Sequence, residues 1–465
     1  MRALRLLLIV DGLALVAAST ISDPIVSDVA IAPALLVSVI VSIATLSGDL
    51  VPPRRRIEIA CSALSIVAPF PFLLLPGHWG PRAAAAALIG LQAVALVAGR
   101  ASRGVAAVPG SVRQVVAALV ATTMFLLIAV AVLAWYGSTY LARPSGSLFD
   151  RAPYLTRVTH SEADFAWKTT SGKTAVSMSA TAGDGTVVLA RDGHVTGLRP
   201  GARYAWTANI AGRSAAAGSF ETAPSTAAAG ITLVSFGDYG SGSDHEYAVG
   251  RLAAALEPSL FLSSGDNAYL LAAPPLLDRA IFDPLRALLG EAPMVAALGE
   301  HDLAWRDGAA VISALRLPGH QYSVQYGPVQ IVVLGLQADA SAVSYAAKAL
   351  GRCQGPCPIR FVLTHRSITA TNPIMPLLRQ RHVAAILAGH LHRYERQVRA
   401  GVLEFTVGTG GEGAGDAAHT RASPGAQRSL LAYGFLRIEI TGTRITYLFV
   451  DESGRVRDRF ERGIA

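Results

Sequence analysis

Charge is scarce in this chain, and cysteine scarcer still. Of 465 residues only 15% are charged, 52% are hydrophobic, and three are cysteines. So little charge with so much apolar content points to a chain that carries membrane segments. Also missing is any clustered basic stripe with interleaved aromatics. That excludes the usual nucleic-acid-binding pattern, even though the formal net charge is +8. The length is too great for one compact core, so two or three domains are expected.

The apolar excess is concentrated in residues 1–137, which hold nine Arg against five acids, a net of +4 that leaves +4 for the remainder. Five apolar stretches fall near 6–22, 29–48, 57–76, 83–99 and 114–136. The last four approach the ~20 residues that span a bilayer core. The first is short and has Asp11 at its centre. It reads either as a span with a buried acid or as a signal-like segment behind Arg2 and Arg5. With no small-residue cleavage site before the next stretch, a span is favoured. Loop 49–56 carries Arg54, Arg55 and Arg56, and loop 100–113 carries Arg100, Arg103 and Arg113. Loop 77–82 has only Arg82 and loop 20–28 none. Arginine-rich loops face the cytoplasm, so the chain after Tyr136 is expected to emerge on the extracytoplasmic side of an integral membrane bundle of about five helices. Cys61 lies within the third stretch. Cys353 and Cys357, outside the apolar region, are expected to pair as a small-loop disulfide.

Residues 138–152 are Gly/Ser/Pro-rich and read as a linker. From 153 to 222 short alternating segments separated by turns (DFAWKT, TAVSMSAT, TVVLARD, HVTGL, RYAWTANI, GSFETA) predict a β-sandwich, with Trp167 facing inward. LRPGARY sets Leu198 six residues before Tyr204, which resembles the tyrosine corner of fibronectin type III domains. The segment carries no catalytic constellation and reads as a spacer or shaping domain. APSTAAAG at 223–230 is a second linker.

Residues 231–465 alternate apolar strands with helical stretches, an α/β pattern, and the chemistry sits just past strand ends. ITLVSF runs into Gly237-Asp238, SLFLSS into Gly265-Asp266-Asn267-Ala268-Tyr269, and MVAAL into Gly299-Glu300-His301-Asp302. IRFVLT runs into His365 and VAAILA into Gly389-His390-Leu391-His392. Each block alone reads as a turn, a cap or a structural histidine. Five of them at strand C-termini converge on one crevice. Carboxylates and imidazoles together suit Fe, Mn or Zn, and a carboxylate able to bridge supports two ions about 3.5–4 Å apart.

This order of blocks resembles the calcineurin-like metallophosphoesterase superfamily. Tyr269, three residues after Asp266, together with GHLHRYER, VGTGGEG (Val407–Gly413) and YGFLRIEI, is similar to purple acid phosphatases within it. The resemblance spans 153–465 and implies a C-terminal α/β sandwich in α/β/β/α layers behind a fibronectin type III-like domain. It also implies two metal ions, Fe plus Fe, Zn or Mn. Asp238, Asp266, Tyr269 and His392 would hold one; Asp266, Glu300, His365 and His390 would hold the other, with Asp266 bridging. His301, beside the second ion, would protonate the leaving oxygen as hydroxide activated by metal attacks phosphorus. Asp302 and Arg396 would orient neighbours. The expected activity is hydrolysis of phosphate monoesters by a membrane-anchored extracytoplasmic enzyme whose partners are its ester substrate and the lipid bilayer.

Two departures bear on that expectation. The family has Asn where Glu300 stands, and Glu adds a negative charge and one methylene: if it ligates, the second ion becomes less electrophilic and dianions are repelled more, and if it swings away, the second site is crippled. An extra substrate-binding histidine about ten residues after the lone His is missing from RSITATNPIM, leaving Arg366 to hold phosphate. A phosphodiesterase acting on nucleotides or lipid headgroups, or a degenerate non-catalytic module, are the alternatives.

Overall fold

The computed structural model describes residues 148–465, apart from 171, 173, 226–229, 270–271, 352–358, 414–420 and 465. The expected membrane bundle, its orientation and all three cysteines lie outside the described residues, as does most of the first linker. Among the described residues no helix is long and apolar enough to cross a membrane. Residues 143–465 form one compact unit.

Its first part is a β-sandwich. Strands β1 (Phe149–Val158), β2 (Glu162–Thr169), β3 (Val176–Ala182), β4 (Val187–Leu189), β5 (His194–Thr196), β6 (Arg203–Ile210) and β7 (Arg213–Glu221) divide into two antiparallel sheets, ordered β1-β2-β5 and β4-β3-β6-β7. Alternation along β6 buries Tyr204, Trp206, Ala208 and Ile210 on one face, as the period of two requires. The Tyr204 hydroxyl accepts the Arg199 N–H at 2.9 Å, tying down the LRPGARY turn. Strand β1 begins at Phe149, so residues 149–152, read from the sequence as linker, belong to the sandwich. Phe149 and Asp150 are buried, and their stretch continues directly into the buried Tyr154-Leu155 pair. Trp167, expected to face inward, is only partly buried at the edge of the core.

The second part is built on two mixed sheets. One contains β8 (Ile231–Phe236), β9 (Leu260–Ser263), β10 (Met294–Ala296), β18 (Gly434–Thr441), β19 (Arg444–Asp451) and β20 (Val456–Gly463), ordered β10-β9-β8-β18-β19-β20. The other contains β11 (Tyr322–Tyr326), β12 (Val329–Val333), β13 (Ile359–Leu363), β14 (Val383–Ala388), β15 (Tyr394–Arg399), β16 (Val402–Val407) and β17 (Arg428–Leu430), ordered β11-β12-β13-β14-β16-β15-β17. Strands β8, β9 and β10 run parallel, as do β12, β13, β14 and β16. These parallel strands are almost uninterrupted apolar runs because both of their faces are covered.

The sheets meet face to face through aromatic pairs such as Tyr394–Phe449 and Phe405–Tyr447. Helix α1 (Asp244–Ala254) follows β8. Its N-cap Ser243 accepts the Glu246 N–H, while the Glu246 carboxylate accepts the Gly242 N–H at 2.7 Å. Short α-helices among the described residues include α2 (Arg286–Glu291), α3 (Glu300–Leu303), α4 (Ala309–Leu315) and α6 (Met375–Gln380). Between α4 and α6 comes α5 (Ala340–Ala349), capped by Asp339, whose Ala342 and Ala346 pack with Val332, Val362 and Ile386 on the outer face of the second sheet.

The sandwich docks directly on the α/β part. Trp206 packs against Phe165 and donates its indole N–H to the Gly290 carbonyl at 2.7 Å. Tyr326 donates its hydroxyl to the Glu221 carbonyl at 2.9 Å. Arg151 pairs with Asp278 at 2.8 Å and lies over the Phe282 ring.

Candidate metal centre

Five strand ends deliver the site. Asp238 follows β8, Asp266 follows β9, and Glu300 opens α3 just after β10; His365 follows β13 and His390 follows β14. Each chain must turn sharply to aim its side chain back over the strand ends. Asp238, Asp266 and His390 do so with left-handed backbone, φ of +56°, +50° and +69°. That conformation costs free energy for non-glycine residues, and its clustering in one crevice is a mark of function. Two glycines are required by close approach. A Cβ on Gly299 would collide with the Asp266 carboxylate, and one on Gly389 with that of Asp238.

The donors fall into two overlapping groups. Asp238, Asp266 and His365 place ligand atoms within 4.8 Å of one another, and so do Glu300, His365 and His390. Tyr269 and His392 extend the first group: the Tyr269 oxygen stands 3.1 Å from His392 Nε2 and 3.5 Å from Asp238 Oδ1, and His392 Nε2 is 3.5 Å from the same Asp238 oxygen. Glu300 closes the second, with Oε2 2.8 Å from His365 Nε2 and Oε1 2.7 Å from His390 Nδ1. Asp266, in the first group, faces the shared His365, with its Oδ2 3.5 Å from His365 Nε2 and its Oδ1 accepting the His301 N–H at 3.0 Å. The sequence expectation sets His301 beside the second group; its ring lies against Tyr269 of the first, with centroids 4.4 Å apart. Arg366 reaches Glu300 Oε1 at 3.4 Å. Arg396 stands elsewhere, on β15, where it pairs with Asp458.

Two observations show that cations fit here. His365 Nδ1 donates to the Ser264 carbonyl at 2.8 Å, which directs the lone pair of Nε2 at two carboxylates. His365 Nε2 and Glu300 Oε2, both buried, stand 2.8 Å apart, and neither has another hydrogen-bond partner among the described residues. A positive ion between such atoms satisfies both. The second observation is the excess of buried negative charge. Burial pushes the Asp266 carboxyl well above its usual range; His365 opposes this, and Glu300 and Asp238 add to it. Burial, with the Asp238 and Asp266 charges behind it, raises the Tyr269 phenol likewise. Cations would reverse these penalties.

Behind the donors is a layer that sequence reasoning only partly reached. Asp302 accepts N–H bonds from Gly299, Asn267 and Ala268, and burial moves its carboxyl up to about 6 against those bonds. Asn267 donates to Asp302 Oδ2 and to the Ala297 carbonyl, and accepts from Tyr239 and Ser263 hydroxyls at 2.6 Å each. The network locks the loops of Asp266 and Glu300 together. Asn267 follows Asp266 directly, and its burial among apolar strand ends was the available signal. The Ser264 carbonyl left none.

No family model matches the chain, and no curated protein matches it either. Solved structures do. The purple acid phosphatase of yellow lupin (Lupinus luteus) seeds superposes with a TM-score of 0.56 at 15% identity, over 67% of this chain and 74% of that one. PhoD superposes with a TM-score of 0.51 at 11% identity, over 70% of this chain and 92% of that one. At such identities the likeness establishes a shared fold.

Proposed function

We propose that this chain is a metal-dependent phosphoesterase, anchored in a membrane by residues 1–137, whose α/β domain (231–465) lies on the extracytoplasmic side. The convergence of seven donors around two groups that overlap at His365, at the strand ends of a fold shared with a purple acid phosphatase and PhoD, carries this reading. Asp238, Asp266, Tyr269 and His392 would hold one ion, and Asp266, Glu300, His365 and His390 the other. Two ions supply Lewis acidity toward a phosphoryl group and a nucleophile from water at neutral pH. His301, buried and hydrogen-bonded through its backbone to Asp266, would pass a proton to the leaving oxygen. Arg366, partly exposed beside Glu300, offers a guanidinium to a phosphate oxygen. The membrane placement is supported by the alternation of arginine-rich and arginine-poor loops. The fibronectin type III-like reading of the sandwich is supported by its three- and four-stranded sheets and by the Tyr204–Arg199 bond.

Hydrolysis of chromogenic phosphate esters by the purified full-length protein, abolished by chelation and restored by divalent or ferric ions, tests the activity. Tyr269 points to iron at the first site. The iron-loaded protein is expected to show a visible charge-transfer band that Tyr269→Phe removes while the other ligands still retain metal. A wild-type protein that binds ferric iron without such a band would leave Tyr269 as a packed aromatic and move the assignment to a generic metallophosphoesterase.

A further inference from the structure

Glu300 is not turned away from the centre. Its carboxylate touches both His365 and His390, and its side chain is 14% exposed. With Asp238 and Asp266 it makes three carboxylates facing one site, and Asp302 lies directly behind them on the Gly299 and Asn267 amides. The nearby guanidinium, Arg366, already shares its charge with Glu300 at 3.4 Å. Each carboxylate in the donor set cancels part of the positive field that draws a phosphate ester in. Loss of field acts in proportion to substrate charge, so a doubly charged monoester loses about twice what a singly charged diester loses. The same side of the centre is open. The side chains of Arg366 and His390 are 39% and 33% exposed, which leaves room for a second ester arm.

We infer that the substrates are singly charged phosphodiesters, and that Glu300 is the residue that sets this preference over monoesters. This replaces the monoester expected from family resemblance, and it rests on the phosphoesterase reading above. The charge of Glu300 raises the barrier to dianions at the centre, while its contacts with His365 and His390 keep the donor group assembled.

The test uses full-length, metal-loaded protein at pH 8, where monoesters are dianions. Two readouts are compared: kcat/KM for bis(p-nitrophenyl) phosphate against p-nitrophenyl phosphate, and calorimetric binding of inorganic phosphate against dimethyl phosphate. Wild type is expected to favour the diester in both. Glu300→Gln is expected to shift the kcat/KM ratio about tenfold toward the monoester and to tighten inorganic phosphate by about tenfold. Glu300→Asp, which keeps the charge, is expected to keep the diester preference. Should Glu300→Gln bind fewer than two metals, Glu300→Asn, which removes the charge with a shorter amide, takes its place with the same expected shift. A wild type that favours monoesters, or a Glu300→Gln protein with two metals and an unchanged ratio, would overturn the inference and leave the phosphoesterase reading standing. A wild type that binds no metal and hydrolyses neither ester overturns both.

Discussion

Asp266→Asn is expected to strip the centre of metal and lower kcat/KM by about 10³-fold or more, roughly 4 kcal/mol of transition-state stabilisation. Asp266 is the residue common to both proposed donor sets. Its Oδ2 faces His365 and its Oδ1 is fixed by the His301 N–H. An amide of the same size keeps the shape of the loop but removes the charge that holds two cations together, and its NH₂ group would point at other donors. Its carboxylate packs directly on Gly299, whose missing Cβ leaves it that space. Metal analysis beside the kinetics separates loss of ions from loss of fold. The asparagine variant should melt cooperatively, bind at most one metal and show negligible hydrolysis. Full activity with two metals bound would remove Asp266 from the bridging role.

Trp206→Ala is expected to destabilise the sandwich and its junction with the α/β part by about 3–5 kcal/mol. The indole is 3% exposed, packs on Phe165, and gives its N–H to the Gly290 carbonyl across the junction. A Cβ on Gly218 would collide with the same ring, so no neighbour can close over the cavity without rearrangement. The Gly290 carbonyl would also lose its indole donor. Thermal or urea unfolding of the variant reads the loss directly. Trp206→Phe, which restores much of the ring but not the N–H, should recover a large part of it. Because Trp206 is remote from the donor cluster in sequence and touches none of its residues among these contacts, metal content should be unchanged in folded protein. A variant as stable as wild type would mean that the junction contributes little.

The parts of the fold legible in the sequence are those in which local pattern and tertiary context agree. ITLVSF and VAAILA are apolar runs with a glycine at the end, and they are the central strands β8 and β14 with the ranges the pattern implies. Gly389 matters because the Asp238 carboxylate passes against the backbone there, and Gly237 because the Ser264–Gly265 turn does. Strand order was not legible. Strand β16 lies between β14 and β15, and β18 between β8 and β19, because pairing of distant strands leaves no mark on either strand alone. The start of β1 was hidden by a Gly/Ser/Pro-rich approach whose composition changes only at Phe149. In the site, acids and histidines announce themselves as residue types. What orients them does not: the Ser264 carbonyl that sets the His365 ring is a backbone atom, and the hydroxyls of Tyr239 and Ser263 act through Asn267. Glu300 was legible as a departure, yet only the structure places its carboxylate against both histidines.

The most direct test of the metal centre is the metal stoichiometry of the purified full-length protein, measured by elemental analysis after saturation and removal of loosely bound ions. Two ions per chain are expected in wild type, falling to one or none in Asp266→Asn. A wild-type chain that retains no ion, or the same content in wild type and Asp266→Asn, would contradict a dinuclear centre built on these strand ends.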